Sequence, residues 1–109
     1  MAAKLPQGEH TVTVGLLTRY KARPGKEADS EHSIKAALSL IQQEPGTTAW
    51  FAFRLEPSTF GVFDVFPDEA ARQAHLSVGT ARLKERASTM IESSLIIEKV
   101  DILAAKLPE

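Results

Sequence analysis

The chain has no cysteine. Disulfides, iron–sulfur clusters, thiolate zinc sites and cysteine nucleophiles are therefore excluded. It also lacks an excess of charge of either sign: 13 lysines and arginines face 14 aspartates and glutamates, a formal net charge of -1. That balance leaves no footprint for nucleic acid, and no polybasic run suits an anionic membrane. The three histidines show no metal-ligand spacing, so no metal is expected. Phosphate loops, dinucleotide fingerprints and nucleophile elbows are missing too, and the reading is of a protein without cofactor. No apolar run approaches the roughly 20 residues of a membrane span. The start Met1-Ala2-Ala3-Lys4-Leu5-Pro6 has no apolar stretch of a secretory signal, so a cytoplasmic protein is expected. What is present is ordinary: 109 residues, 43% hydrophobic, with six glycines and six prolines, the composition of one globular domain.

Residues 1–10 are polar, contain Pro6 and Gly8, and read as a loose N-terminal arm; residues 11–105 read as a single domain. Over residues 11–22 strict alternation puts Val12, Val14, Leu16, Thr18 and Tyr20 on one side, a strand by period and β-branched content. Arg23-Pro24-Gly25 breaks it. Residues 26–44 carry Ile34, Ala37, Leu38 and Ile41 at helical spacing. Glu44-Pro45-Gly46 ends that helix, with Gly46 free to adopt a left-handed φ. Residues 47–56 and 59–66 are aromatic and β-branched, two strands of a hairpin around Pro57-Ser58. Asp68 is a good N-cap for the helix that follows. Ala71, Ala74, His75 and Val78 form its predicted inward stripe. Gly79 predicts an interruption, and residues 80–93 resume the helix with Leu83, Ala87, Met90 and Ile91 inward. Residues 95–104 close the chain as a fourth strand.

The order strand–helix–strand–strand–helix–strand predicts an α+β, ferredoxin-like βαββαβ fold, a four-stranded antiparallel sheet with both helices on one face. Apolar residues occupy both alternation sets of the strands. In the last strand Leu95, Ile97 and Leu103 oppose Ile96, Val100 and Ile102; in the second, Ala49, Phe51, Phe53 and Leu55 oppose Trp50 and Ala52. The helix-free face would expose more apolar surface than a monomer usually tolerates. A homodimer through that sheet face is expected.

These pieces, in this order, give the chain a resemblance to the antibiotic biosynthesis monooxygenase domain of the dimeric α+β barrel group. It runs from about Val12 to Leu103. It rests on the strand closed by Arg23-Pro24-Gly25, the helix end Glu44-Pro45-Gly46 with an aromatic strand after it, and the stretch from Phe63-Asp64-Val65-Phe66-Pro67-Asp68 to His75-Leu76. The chain departs from the family at Phe66, where many members carry tryptophan, and at Gly79-Thr80, where many carry a proline–histidine pair. The haem-degrading branch has an iron-ligating histidine on this second helical segment, and none lies between Val78 and Ser94. The resemblance implies a cofactor-independent oxygenase that takes its electrons from a deprotonated phenol, hydroquinone or related small carbonyl compound. Other members isomerise small sugar-derived compounds, and others have no demonstrated activity.

His75 is the expected catalytic residue. Small alanines around it leave room for a pocket, and a neutral imidazole there would take a phenolic or enolic proton; the plainer alternative is a half-buried histidine bonded to a backbone carbonyl. On the first reading His75→Ala is expected to leave fold and dimer intact while activity drops; on the second it loses about 1–3 kcal/mol of stability through an unpaired buried partner, with turnover barely changed. Trp50 is either a flat pocket wall or a dimer-interface anchor. Thr18 and Tyr20 offer hydroxyls to a substrate. Arg54, on the Trp50 side of its strand, would balance an oxyanion or simply pair with a nearby carboxylate. Asp64 and Lys99 read as a structural pair across the sheet. Three functions remain open: an oxygenase, a non-catalytic dimeric ligand-binding or stress-associated module, and an isomerase of a hydroxy-carbonyl compound.

Overall fold

The structure, a computed structural model, describes residues 11–90 and 95–108, with side chains up to residue 82 and from residue 95 onward. The expected N-terminal arm, and the inward positions Leu83, Ala87, Met90 and Ile91, lie outside that description. The elements are β1 (Val14–Lys21), α1 (Glu27–Ile41), β2 (Ala49–Glu56), β3 (Thr59–Phe66), α2 (Glu69–Met90) and β4 (Ile96–Asp101). One antiparallel sheet has the order β2-β3-β1-β4, the expected ferredoxin-like topology.

The register fixes which residues share a face. Leu16 pairs with Asp64 and Lys99, and Thr18 with Val62 and Ile97. Trp50 pairs with Asp64. Leu16, Thr18, Tyr20, Trp50, Val62, Asp64 and Ile97 line one cavity together with residues of both helices, so this is the helix-covered face. Trp50 therefore lies under the helices, and Phe51, Phe53 and Leu55 point to the other side. At the Tyr20 end, Tyr20, Ala22 and Phe60 form a buried cluster with Ile34 and Leu95 against it. The opposite face is only partly covered. Residues 104–108 run beside Phe51, Phe63 and Val65, while Phe51, Leu55 and Ile96 remain exposed.

The helices differ from expectation in three ways. First, α2 is continuous through Gly79, with no break into two segments. A glycine inside a helix costs only about 1 kcal/mol relative to alanine, which twenty-odd helical neighbours absorb. Second, the covered stripe of α2 is Arg72, His75, Leu76 and Gly79, while Ala74 and Val78 are exposed. Arg72 is the reason. Its guanidinium donates to the carbonyls of Gly15 and Val100 at 3.1 Å each and pairs with Glu69, so a charged residue takes the inward position. On α1, Leu38 is likewise exposed. Third, Gly46 does not use left-handed backbone; among the described residues the positive φ belongs to Gly25, at 83°. Asp68 caps α2 as expected, its carboxylate accepting from the Ala71 N–H at 2.9 Å.

Gly15 is a close-approach position. A Cβ there would stand 2.8 Å from the Asp64 carbonyl oxygen and 3.1 Å from Val100 Cγ2. Gly15→Ala must therefore push β1 away from β3, and a loss of about 1–3 kcal/mol is expected. Chemical denaturation of the variant checks this; unchanged stability would refute it.

Candidate functional site

The cavity of about 110 Å³ between the helices and the sheet is lined mainly by apolar surface, with a charged end at Asp64, His75 and Arg82. Its size is on the scale of a small ring-containing ligand. Leu16, Ile34, Ala37, Ile41, Val62, Leu76 and Ile97 supply the apolar surface, with Trp50 as the aromatic wall. At the polar end stands His75, two turns into α2.

His75 is held from both sides. Its Nε2–H donates to Asp64 Oδ2 at 2.9 Å, and its Nδ1–H donates to Glu44 Oε1 at 2.6 Å. Phe66, fully buried, packs behind it with ring centroids 5.3 Å apart and planes tilted by 43°. Glu44 comes from the turn after α1. That turn can reach α2 because residue 46 has no side chain: a Cβ at Gly46 would lie 3.1 Å from the Ala71 Cβ. Thr47 Oγ1 donates to the same Glu44 oxygen at 2.8 Å, and Arg82 stands 3.9 Å from the other. Glu44, His75 and Asp64 thus join a turn, a helix and a strand.

Two ring N–H donors to two carboxylates require the imidazolium form. Burial works to lower the His75 pKa. The hydrogen bonds it makes to Asp64 and Glu44, reinforced by their negative charges, outweigh it and raise the value above the ordinary one. The expected neutral imidazole is thus disfavoured: a carboxylate oxygen at each ring nitrogen favours a carboxylate–imidazolium–carboxylate cluster centred on His75. The linkage to stability has a definite sign. A raised folded-state pKa stabilises the fold below the unfolded value of about 6.5, and that contribution is lost as pH rises through the folded value. The melting temperature of the wild type should therefore fall over that window more steeply than that of His75→Gln. Parallel curves would contradict the assignment.

Asp64 is the residue that sequence reasoning misplaced. It shares the Leu16 row with Lys99, as the pairing idea requires, but Lys99 is exposed while Asp64 is 2% exposed and bonded to His75. The helix covering β3 brings a closer cation than the edge strand does. Its second oxygen, Oδ1, is buried and accepts no hydrogen bond among the described residues. Glu44 was missed because its role depends on a turn crossing to another helix. Of the expected substrate contacts, Trp50, Thr18 and Tyr20 line the cavity. Arg54 does not: it pairs with Glu31 on α1 and lies over the Phe60 ring, 5.3 Å from the centroid. His32 is exposed on α1. Among the described residues no group of three or more histidine, aspartate or glutamate side chains is arranged to hold a metal ion, and no helix is long and apolar enough to cross a membrane.

No family model and no curated protein matches the chain. Among solved structures, the Nitrosomonas europaea protein NE2512, of unknown function, is 50% identical, with a TM-score of 0.86 over 92% of this chain and 98% of that one. A structure named antibiotic biosynthesis monooxygenase is 17% identical, with a TM-score of 0.71 over 84% of this chain and 99% of that one. A Deinococcus radiodurans protein provisionally given the same name is 15% identical, with a TM-score of 0.73 over 88% and 98%. At those last two identities the likeness is one of fold.

Proposed function

We propose, for a chain that belongs to the same family as NE2512 of Nitrosomonas europaea and has the fold of the antibiotic biosynthesis monooxygenases, that it is a cofactor-independent oxygenase of a small phenol or hydroquinone. The observation that carries this reading is Asp64, which lines a mainly apolar cavity, bonds His75 through one carboxylate oxygen and keeps the other, Oδ1, buried without a partner among the described residues. A buried carboxylate oxygen without a donor asks for a ligand that brings one, and a phenolic O–H on an otherwise apolar ring matches both features. Carboxylate ligands are disfavoured there by Asp64 and Glu44.

The chemistry follows from that placement. The phenolic O–H donates to Asp64 Oδ1, and its proton passes to the cluster centred on His75 as the ring becomes a phenolate. The electron-rich ring then reduces O₂. For a phenol with a free para position, one oxygen atom of O₂ takes the place of the para hydrogen and becomes a carbonyl oxygen while the other leaves as water; for a hydroquinone a free ring carbon beside a hydroxyl takes the oxygen instead, giving hydroxyquinone plus water. Phenol plus O₂ gives para-quinone plus water, with all four electrons supplied by the substrate. Trp50 stacks beside the ring, and Thr18 and Tyr20 complete the wall.

The protein acts as a homodimer through the open face, where Phe51 and Leu55 are 60% and 57% exposed. Light scattering at micromolar concentration should return twice the chain mass; a monomer would remove this part. The activity is tested by oxygen uptake with a panel of phenols and hydroquinones. Uptake with quinone formation is the expected result. Ligand-induced thermal stabilisation without turnover would assign a binding module instead, and conversion of a hydroxy-carbonyl compound without O₂ would assign an isomerase.

A further inference from the structure

A neutral imidazole has one N–H and one bare nitrogen. His75 has a carboxylate oxygen at each ring nitrogen, Asp64 Oδ2 at 2.9 Å from Nε2 and Glu44 Oε1 at 2.6 Å from Nδ1. Both contacts are hydrogen bonds only while the ring is charged. Once a proton leaves for bulk water, one carboxylate faces a lone pair at hydrogen-bonding distance and must move off.

The two carboxylates are not equally free to do so. Asp64 stands on β3, inside the sheet, is 2% exposed, and has His75 as its donor among the described residues. Stripping it would leave a buried carboxylate with nothing. Glu44 stands in the turn from α1 to β2, and its side chain reaches water at 23% exposure. It also has two other neighbours: Thr47 Oγ1 donates to Oε1 at 2.8 Å, and Arg82 Nη2 lies 3.9 Å from Oε2. A neutral ring therefore keeps its Nε2–H on Asp64 and releases Glu44. The surrounding charges do not alter that choice. Lys99, in the Asp64 row, is exposed. Arg72 is engaged by the Gly15 and Val100 carbonyls and Glu69, and Arg54 by Glu31. The side chains that α1 brings to the cavity are uncharged.

The release has a place in the fold where it matters. Ile41, three residues before Glu44, lines the cavity, as do His75 and Arg82. The turn runs on directly into β2, whose second residue is Trp50, the aromatic wall. The Glu44–His75 bond thus fastens the turn to α2 at the charged end of the chamber.

We propose that Glu44 is a proton-operated latch: charged His75 holds the α1–β2 turn against α2, and loss of the ring proton hands Glu44 to Arg82 and water and opens the cavity beside Trp50. The two positions of one carboxylate make a two-state element that a single proton biases. The latch works whatever the ligand is, so it stands apart from the phenol reading.

The experiment reads Trp50, the single tryptophan of the chain, in the full chain without ligand. The rate constant for quenching by acrylamide, a small neutral molecule, is taken from fluorescence lifetimes across pH, beside a proton NMR titration of His75. Losing a hydrogen bond between charged groups shifts an open–closed equilibrium by about tenfold or more. In the wild type the quenching constant should therefore rise severalfold over the pH range in which His75 titrates. Glu44→Ala, with no latch, should show the high value at every pH. Glu44→Gln should show the low value at every pH, because its amide accepts from a charged ring and, turned over, donates to the bare Nδ1 of a neutral one. A flat wild-type profile, a pH step that survives in Glu44→Ala, or a Glu44→Gln variant that opens with the wild type would overturn the latch. None of these outcomes touches the phenol reading, which oxygen uptake decides.

Discussion

Replacing Asp64 with asparagine should lower kcat/KM for oxygen uptake by about 10²–10⁴-fold, the usual worth of a positioned proton-transfer group. Asparagine keeps the size of aspartate, so packing between β3 and α2 survives. It cannot keep the charge. Its amide can accept from His75 Nε2–H through its oxygen, but its other terminus is then an N–H donor where aspartate had an acceptor. A phenolic O–H meeting that donor has nowhere to put its proton. The same variant should bring the His75 titration down toward its ordinary range, because Asp64 supplies the first of the interactions that raise it. Proton NMR of the imidazole and steady-state rates on one preparation test both halves. A variant with the wild-type rate and a shifted His75 titration would remove Asp64 from the chemistry and leave it a purely structural partner.

The largest effect on stability is expected at His75. Its side chain separates two carboxylates that lie within hydrogen-bonding distance of the ring. His75→Ala would leave the Asp64 carboxylate, on a residue 2% exposed, without its cation. Removing one partner of a buried pair typically costs about 3–5 kcal/mol, a large share of the roughly 5–15 kcal/mol that holds a domain together. For a domain of this size the melting temperature should drop on the order of 15 °C or more. The double variant His75→Ala with Asp64→Asn should recover part of that loss, since it no longer buries a lone charge. Thermal denaturation of the two single variants and the double one closes the cycle. Additive losses would show that the buried charge is not what His75 holds in place. The pH–rate profile offers a further reading of the same cluster. With both ring nitrogens donating, the protonated cluster has little capacity for another proton, so kcat/KM should climb as pH rises through the raised His75 value and not at about 6.5.

Strand alternation made the sheet legible, because period two and β-branched content act locally. The hairpin strand at Thr59–Phe66 was readable to the residue. The Asp68 cap was readable too, since a carboxylate before a helix has one obvious use. His75 and Trp50 could be picked out as unusual residue types in apolar surroundings. What failed was everything that depends on a charged side chain going inward. Arg72 sits in the covered stripe because two backbone carbonyls from different strands converge on it, and no periodicity encodes that meeting. Asp64 and Glu44 were invisible as partners of His75 for the same reason. Each is an ordinary carboxylate in its own segment, and only the crossing of α2 over β3 and over the turn at Gly46 brings them to one ring.

Gly79 sets stability against room. In sequence it looks like a defect, and in the helix it is one, at a cost of about 1 kcal/mol relative to alanine. A Cβ built there meets nothing closer than His75 Nε2, at 3.9 Å, and the position lines the cavity. The space is therefore available to a side chain, and the sequence leaves it empty. A methyl group at 79 would strengthen α2 while narrowing the chamber beside His75, and each larger residue would trade more capacity for more packing. Position 79 thus works as a size gauge for whatever enters: a graded series from alanine to leucine would calibrate how much of the chamber a guest needs.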